Sequence, residues 1–280
     1  MSAKKVVRRK RTTKKTPFKT EVTQALEKLA STQDHIRLQG AVALEMHPER
    51  QAIPSIIKHL KREHFGPVKF YLMRALGKTK DKRALPVLKS TLFDFEHMMR
   101  GQAADMLAEF FGWKRTIDFI KKRFRNPADV PRAFFYDVGY VGGKRNVARW
   151  RKSDWRSVGK QVVIDARKIV IEGRKQKLDR MKDKSGKPFS VNGIPVFLGK
   201  LPKDYLGFYK NGVIIIQKNT RELDPRDREV TAWHEFGEIF SHEVGLAFEV
   251  DFLKRNRQLD EYLRRIPEKR SEFEKIEKEW

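Results

Sequence analysis

The chain has no cysteine, no long apolar run and too few acidic side chains to balance its basic ones. Without cysteine there are no disulfides and no thiolate metal sites, so any zinc must be held by imidazole and carboxylate. No apolar run approaches the ~20 residues that a bilayer-spanning helix needs. The N-terminus is basic and is not followed by a hydrophobic stretch, so the expectation is a soluble, cytoplasmic protein with no membrane span. Histidine is also scarce, with seven in 280 residues.

The acidic deficit is large and unevenly spread. There are 62 Lys and Arg against 36 Asp and Glu, a net charge of +26. Residues 1–19 carry nine basic side chains and no acidic one, which reads as a disordered arm able to bind polyanions. Residues 114–187 carry 23 basic and 8 acidic side chains. Within that interval Phe134, Phe135, Tyr136, Tyr140, Trp150 and Trp155 alternate with cations. Lys144, Arg145, Arg149, Arg151, Lys152 and Arg156, with Trp150 and Trp155, are therefore candidate nucleic-acid contacts. Aromatics can stack on bases while flanking cations hold phosphates, without sequence preference and with strong salt sensitivity. The alternative is that the aromatics pack a domain junction and the cations form its solvated rim.

Five histidines (His35, His47, His59, His64 and His97) lie in the first hundred residues, and none is assigned to a site. The His59 and Glu63 pair reads equally well as a surface contact on a helix. The other two fall in Thr231-Ala-Trp-His-Glu-Phe-Gly-Glu-Ile-Phe-Ser-His-Glu243. There His234, Glu238 and His242 recur every four residues, so on a helix they form one slowly drifting row able to grip a cation. Asp224 and Pro225 make a plausible helix start, and Val230, Trp233, Phe236, Gly237 and Phe240 mark the core side. Glu249, seven residues beyond His242, is a further candidate as a fourth ligand or as a partner to one. The bland reading is a solvated acidic face with two ordinary histidines.

Leu206-Gly-Phe-Tyr-Lys-Asn-Gly-Val-Ile-Ile-Ile-Gln-Lys-Asn, followed by Asp224-Pro-Arg-Asp-Arg-Glu-Val-Thr-Ala-Trp-His-Glu-Phe-Gly-Glu, resembles the core of the ImmA/IrrE-type zinc metallopeptidases over about residues 190–255. The resemblance implies a zincin-like layout, with His234 as a metal ligand and Glu235 as the base that activates water. The chain departs from the family in one place: Glu238 replaces the second histidine, giving His-Glu-x-x-Glu. A carboxylate there accepts zinc and also suits manganese or iron. Tyr205 and Tyr209 are near enough in sequence to be considered as oxyanion donors.

The first third repeats at an offset of 32. Leu44 aligns with Leu76 and Ala108, Ala52-Ile-Pro-Ser with Ala84-Leu-Pro-Val, and Leu60 with Leu92. This resembles the short HEAT-repeat (PBS-lyase-like) class over about residues 20–125. It implies an α-solenoid of helix pairs whose concave face holds a protein partner or substrate, or alternatively duplex DNA in a basic groove. Further on, Val158 to Asp183 reads as a long helix. Strands are expected around an Asn192-Gly193 hairpin turn and at Val213-Ile-Ile-Ile-Gln, with helices at Leu253 to Arg265 and Ser271 to Trp280.

The expected fold is α+β and mostly α. It comprises a basic arm (1–19), HEAT-like repeats (20–125), a basic aromatic connector with a long helix (126–187) and a small zincin-like domain (188–280). The expected function is metal-dependent hydrolysis, of peptides by resemblance, with zinc the first choice of ion. The alternative is a non-enzymatic DNA- or RNA-binding protein with a degenerate or structural metal site.

Overall fold

The computed structural model describes residues 20–94, 96–123, 170–171, 174–175, 178–203, 205–210 and 213–280. The basic arm and the eight candidate nucleic-acid contacts from Lys144 to Arg156 lie outside the described residues. What is described is mostly helical, with a small mixed sheet in the C-terminal part. No described helix is long and apolar enough to cross a membrane.

α1 (Thr20–Leu29) is followed by α2 (Asp34–Met46), α3 (Ile53–Leu60), α4 (Gly66–Lys78), α5 (Leu85–Thr91), α6 (His97–Phe111) and α7 (Trp113–Arg123). The 32-residue offset is visible in the chain path: α2 and α4 start that far apart, and so do α3 and α5. Pro54 and Pro86 occupy the first turns of α3 and α5, where a missing N–H costs nothing. Leu44 and Leu76 are fully buried and Ala108 nearly so, where α1, α2, α4 and α6 pack in succession. Glu63 is held by Arg37 of α2 at 2.8 and 3.0 Å and accepts the His64 and Phe65 amides, a role more specific than a helix contact with His59.

β1 (Val170–Ile171) and β2 (Arg174–Lys175) form a two-stranded ladder. The main sheet has the order β3-β5-β7-β6, from β3 (Asp179–Arg180), β5 (Ile194–Gly199), β7 (Val213–Gln217) and β6 (Gly207–Lys210), while β4 (Ser190–Val191) also pairs with β5. Asn192 and Gly193 both have positive φ, 46° and 84°, as the hairpin turn between β4 and β5 requires. β7 is central and buried at every position, parallel to β5 and antiparallel to β6.

The long helix expected over Val158 to Asp183 is not what the described part forms. Residues 158–169 lie outside the described residues, and strands occupy positions beyond them. The apolar stripe that suggested a helix ends at the β-branched pair Val170-Ile171, and Asp179 and Arg180 bond to β5 opposite Leu198 and Phe197. Arg180 also lays its guanidinium 5.0 Å from the Phe197 ring centre. Pairing with an existing strand edge has overridden local periodicity.

α8 (Arg228–Glu238) lies on β6 and β7 and is followed by α9 (His242–Arg255), α10 (Leu259–Arg265) and α11 (Arg270–Lys278). α9 is the hub, packing against α8, α11, α6 and α7, so the N-terminal helices and the C-terminal part share one core. The buried Asp251 of α9 fastens this junction, bonded to Lys121 and Lys114 of α7 and to Arg255. Burial alone would raise its carboxyl, and the Lys121 hydrogen bond together with the charges of Lys121, Arg255 and Lys114 outweighs burial and keeps it low.

A single helix over Leu253 to Arg265 is also corrected. α9 stops at Arg255 because Arg257 turns left-handed, φ 56°, and the Gln258 and Arg257 amides bond back to Leu253 and Lys254. This is the Schellman closure, which glycine normally supplies, and arginine at that position gave no stop signal. Arg257→Gly is expected to stabilise the fold by about 0.5–1 kcal/mol. Thermal denaturation of the pair of proteins checks this, since a neutral or lowered midpoint would mean that the left-handed arginine carries no strain.

Candidate metal centre

The motif helix starts differently in detail from the sequence expectation. Asp224 caps a short 3-10 turn, Pro225–Asp227, accepting the Arg226 amide at 2.8 Å, and the α-helix proper begins at Arg228. Asp227 is held bidentately by Arg265 of α10, both bonds 2.7 Å, which ties the start of α8 to the C-terminal helices. At its other end α8 meets α9 at the closest possible crossing. A Cβ on Gly237 would lie 2.5 Å from the Gly245 Cα, so only glycine fits there. The Ser241 hydroxyl then caps α9 through the Val244 amide.

This crossing gathers His234, Glu238 and His242, whose donor atoms all lie within 4.8 Å of one another, so the group could hold a metal ion. Glu238 Oε1 is 3.2 Å from His234 Nε2 and 2.7 Å from His242 Nδ1. Tetrahedral ligation with metal–donor bonds near 2.05 Å puts the donors about 3.3 Å apart. The first separation already matches, and the second would open by about half an ångström. Two imidazoles and a carboxylate are a donor set that zinc accepts, and the half-exposed His242 leaves the site open on one side.

Of the two roles expected for Glu249, ligand or partner to a ligand, the geometry matches the second. Its carboxylate is buried on the far side of the His234 ring, with Oε2 3.0 Å from Nδ1. It therefore orients the imidazole and leaves Nε2 free to face the other two donors. Tyr262 of α10 donates its hydroxyl to the other oxygen of Glu249 at 2.5 Å. No sequence spacing pointed to Tyr262, which reaches the site only because α10 folds back under α9.

The charges follow this geometry. Burial lowers the His234 ring, but its hydrogen bonds to the Glu238 and Glu249 carboxylates, with the charges of Glu249 and Glu235, outweigh it and hold the pKa at about 9. The same hydrogen bond from His234 pulls Glu238 down to about 2. Glu235 points the other way: burial raises it to about 7, against the pull of His234 and with help from Glu238 and Glu249. It lies against β6, where a Cβ on Gly207 would come within 2.9 Å of its Oε1. Gly207 was part of the quoted resemblance but was not singled out as a site residue. Tyr205 is exposed, and Tyr209 belongs to β6.

Beside His242 opens a cavity of about 450 Å³ lined by Asp105, Glu109, Glu243, Glu272 and Glu279 among others. Asp105 Oδ1 is buried there without a hydrogen-bond partner, and burial, with the neighbouring Glu243, Glu109 and Glu279, pushes Asp105 up to about 7. A carboxyl whose folded pKa is raised stabilises the fold most below its ordinary value and loses that contribution as pH rises toward 7. The stability gained by Asp105→Asn is thus expected to grow between about pH 4 and 7 and to level off at a few kcal/mol. Denaturant unfolding at pH 5 and pH 8 checks the sign; an equal effect at both would contradict it. No family model and no curated protein matches this chain, so the reading of the site rests on its residues and their geometry.

Proposed function

We propose that the protein is a metal-dependent hydrolase, with a peptide bond as the substrate class that the family resemblance implies. The observation that carries the reading is the convergence of two imidazoles and a carboxylate across the α8–α9 crossing, with Glu249 behind His234 and Glu235 beside it. His234, Glu238 and His242 would hold the ion, zinc or a harder ion such as manganese or iron. When bound, the ion supplies Lewis acidity and lowers the pKa of water.

The chain's own residues do the rest. Glu249 and Tyr262 fix the plane of the His234 ring. Glu235, enclosed beside His234 and against Gly207 of β6, is placed to take a proton from water and return it to a leaving group. The sheet order, with β6 outermost against α8, supports a zincin-like reading of this half. The helix pairs at a 32-residue offset support a short HEAT-like solenoid in the other, with a protein partner or substrate on its concave face.

Net charge favours a second reading, a non-enzymatic polynucleotide binder acting through the arm and Lys144 to Arg156. The two separate cleanly. Wild-type protein freed of chelator is expected to hold about one equivalent of transition metal by elemental analysis, and His234→Ala none. Glu235→Gln is expected to keep the metal and lose at least about a hundredfold in peptide hydrolysis. Metal-free wild-type protein, together with loss of polynucleotide retention in the Arg149→Glu and Arg151→Glu variants, would establish the binder instead.

A further inference from the structure

The three-residue turn between Glu238 and His242 decides how far apart those two side chains stand, and it is held from outside by a helix 140 residues earlier in the chain. Three consecutive contacts come from one face of α6. The His97 ring lies with Nε2 2.9 Å from the Glu238 carbonyl oxygen, and because a carbonyl only accepts, Nε2 carries the proton. Arg100 donates Nε to the Ile239 carbonyl at 2.8 Å and Nη1 to the Asp94 carbonyl at 3.0 Å. Gly101 then closes against the turn so tightly that a Cβ would sit 3.0 Å from both Phe240 O and Ser241 Cβ. Phe93 adds an edge-on ring contact to Phe240, with centroids 6.4 Å apart.

These partners sit where a helix end needs them. The last carbonyls of α8 have no intrahelical amide to accept from, and cationic or ring N–H donors at a helix C-terminus satisfy them and complement the dipole. The Arg100 side chain is 1% exposed, among the most buried large side chains of the described residues. A guanidinium in such a place is retained at a desolvation cost, and its Nε and Nη1 donors go to the main chain. Inside the turn, the Phe240 and Ser241 amides both return to Gly237 O, and Ser241 caps α9. The turn is thus fixed on both sides, and the residue on each flank is a candidate ligand.

We propose that His97 and Arg100 are positioning residues of the metal centre, so that α6 of the N-terminal helices forms part of the site. This rests on the metal reading above.

The test uses the full chain and Co²⁺ as the probe, because its visible absorption reports the ligand geometry. His97 is exposed, so His97→Ala leaves the core intact. It is expected to weaken Co²⁺ binding about tenfold and to alter the absorption bands, with a single cooperative thermal transition retained. His97→Gln, whose side-chain amide restores an N–H donor toward the Glu238 carbonyl, is expected to recover both. Arg100→Gln is expected to exceed the effect of His97→Ala if it folds. Unchanged affinity and spectrum in His97→Ala, or no recovery in His97→Gln, would overturn the proposal. If the wild-type protein takes up no Co²⁺, the metal reading fails, and amide exchange at residues 239–241 still decides this one: faster exchange in His97→Ala supports the clamp, and equal exchange refutes it.

Discussion

His234 has a carboxylate oxygen on each ring nitrogen, Glu249 at Nδ1 and Glu238 at Nε2, and the surrounding architecture serves to keep it there. An imidazole can be aimed this way only if its two partners come from different elements that cannot shift independently. Glu238 is one turn along the same helix. Glu249 lies on α9, which the Gly237–Gly245 contact presses against α8. Tyr262, from α10, then fixes Glu249. Remove the close crossing, and the buried carboxylate and the imidazole part, leaving an uncompensated charge in the interior.

The same constraint accounts for the contact between the two halves. α9 carries His242 and Glu249 toward the site and Asp251 toward α7, where Lys121 and Lys114 meet it. The Lys121 ammonium also lies 5.3 Å from the Trp233 ring centre and 5.5 Å from that of Phe248, so one cation joins α7 to both motif helices. α6 meets the intervening turn with Arg100 and His97. α6 and α7 are therefore packed into the frame of the site.

Much of this was legible in the chain because its signals were local. Four-residue spacing picked out His234, Glu238 and His242, although His242 joins the other two from the start of α9 across a turn and not along one helix face; Asn192-Gly193 marked a tight hairpin, and five apolar or amide side chains in a row marked a central strand at β7. What was not legible depended on distant partners. Glu249 followed His242 at helical spacing, but folding brought it to His234 instead, on the far ring nitrogen. Tyr262, His97 and Arg100 have no sequence relation to the motif at all. The strands at residues 170–180 arise from an edge of β5 that the local apolar stripe could not announce, and the end of α9 arises from an arginine in a conformation usually left to glycine.

The account stands on a cation shared by two imidazoles and one carboxylate. X-ray absorption at the zinc edge of the zinc-loaded protein measures that directly. The expected result is a four-coordinate ion with two histidine nitrogens and light oxygen donors near 2.0–2.1 Å, with one histidine lost in His242→Ala. An ion with no imidazole scattering, or a spectrum indifferent to His242, would contradict it.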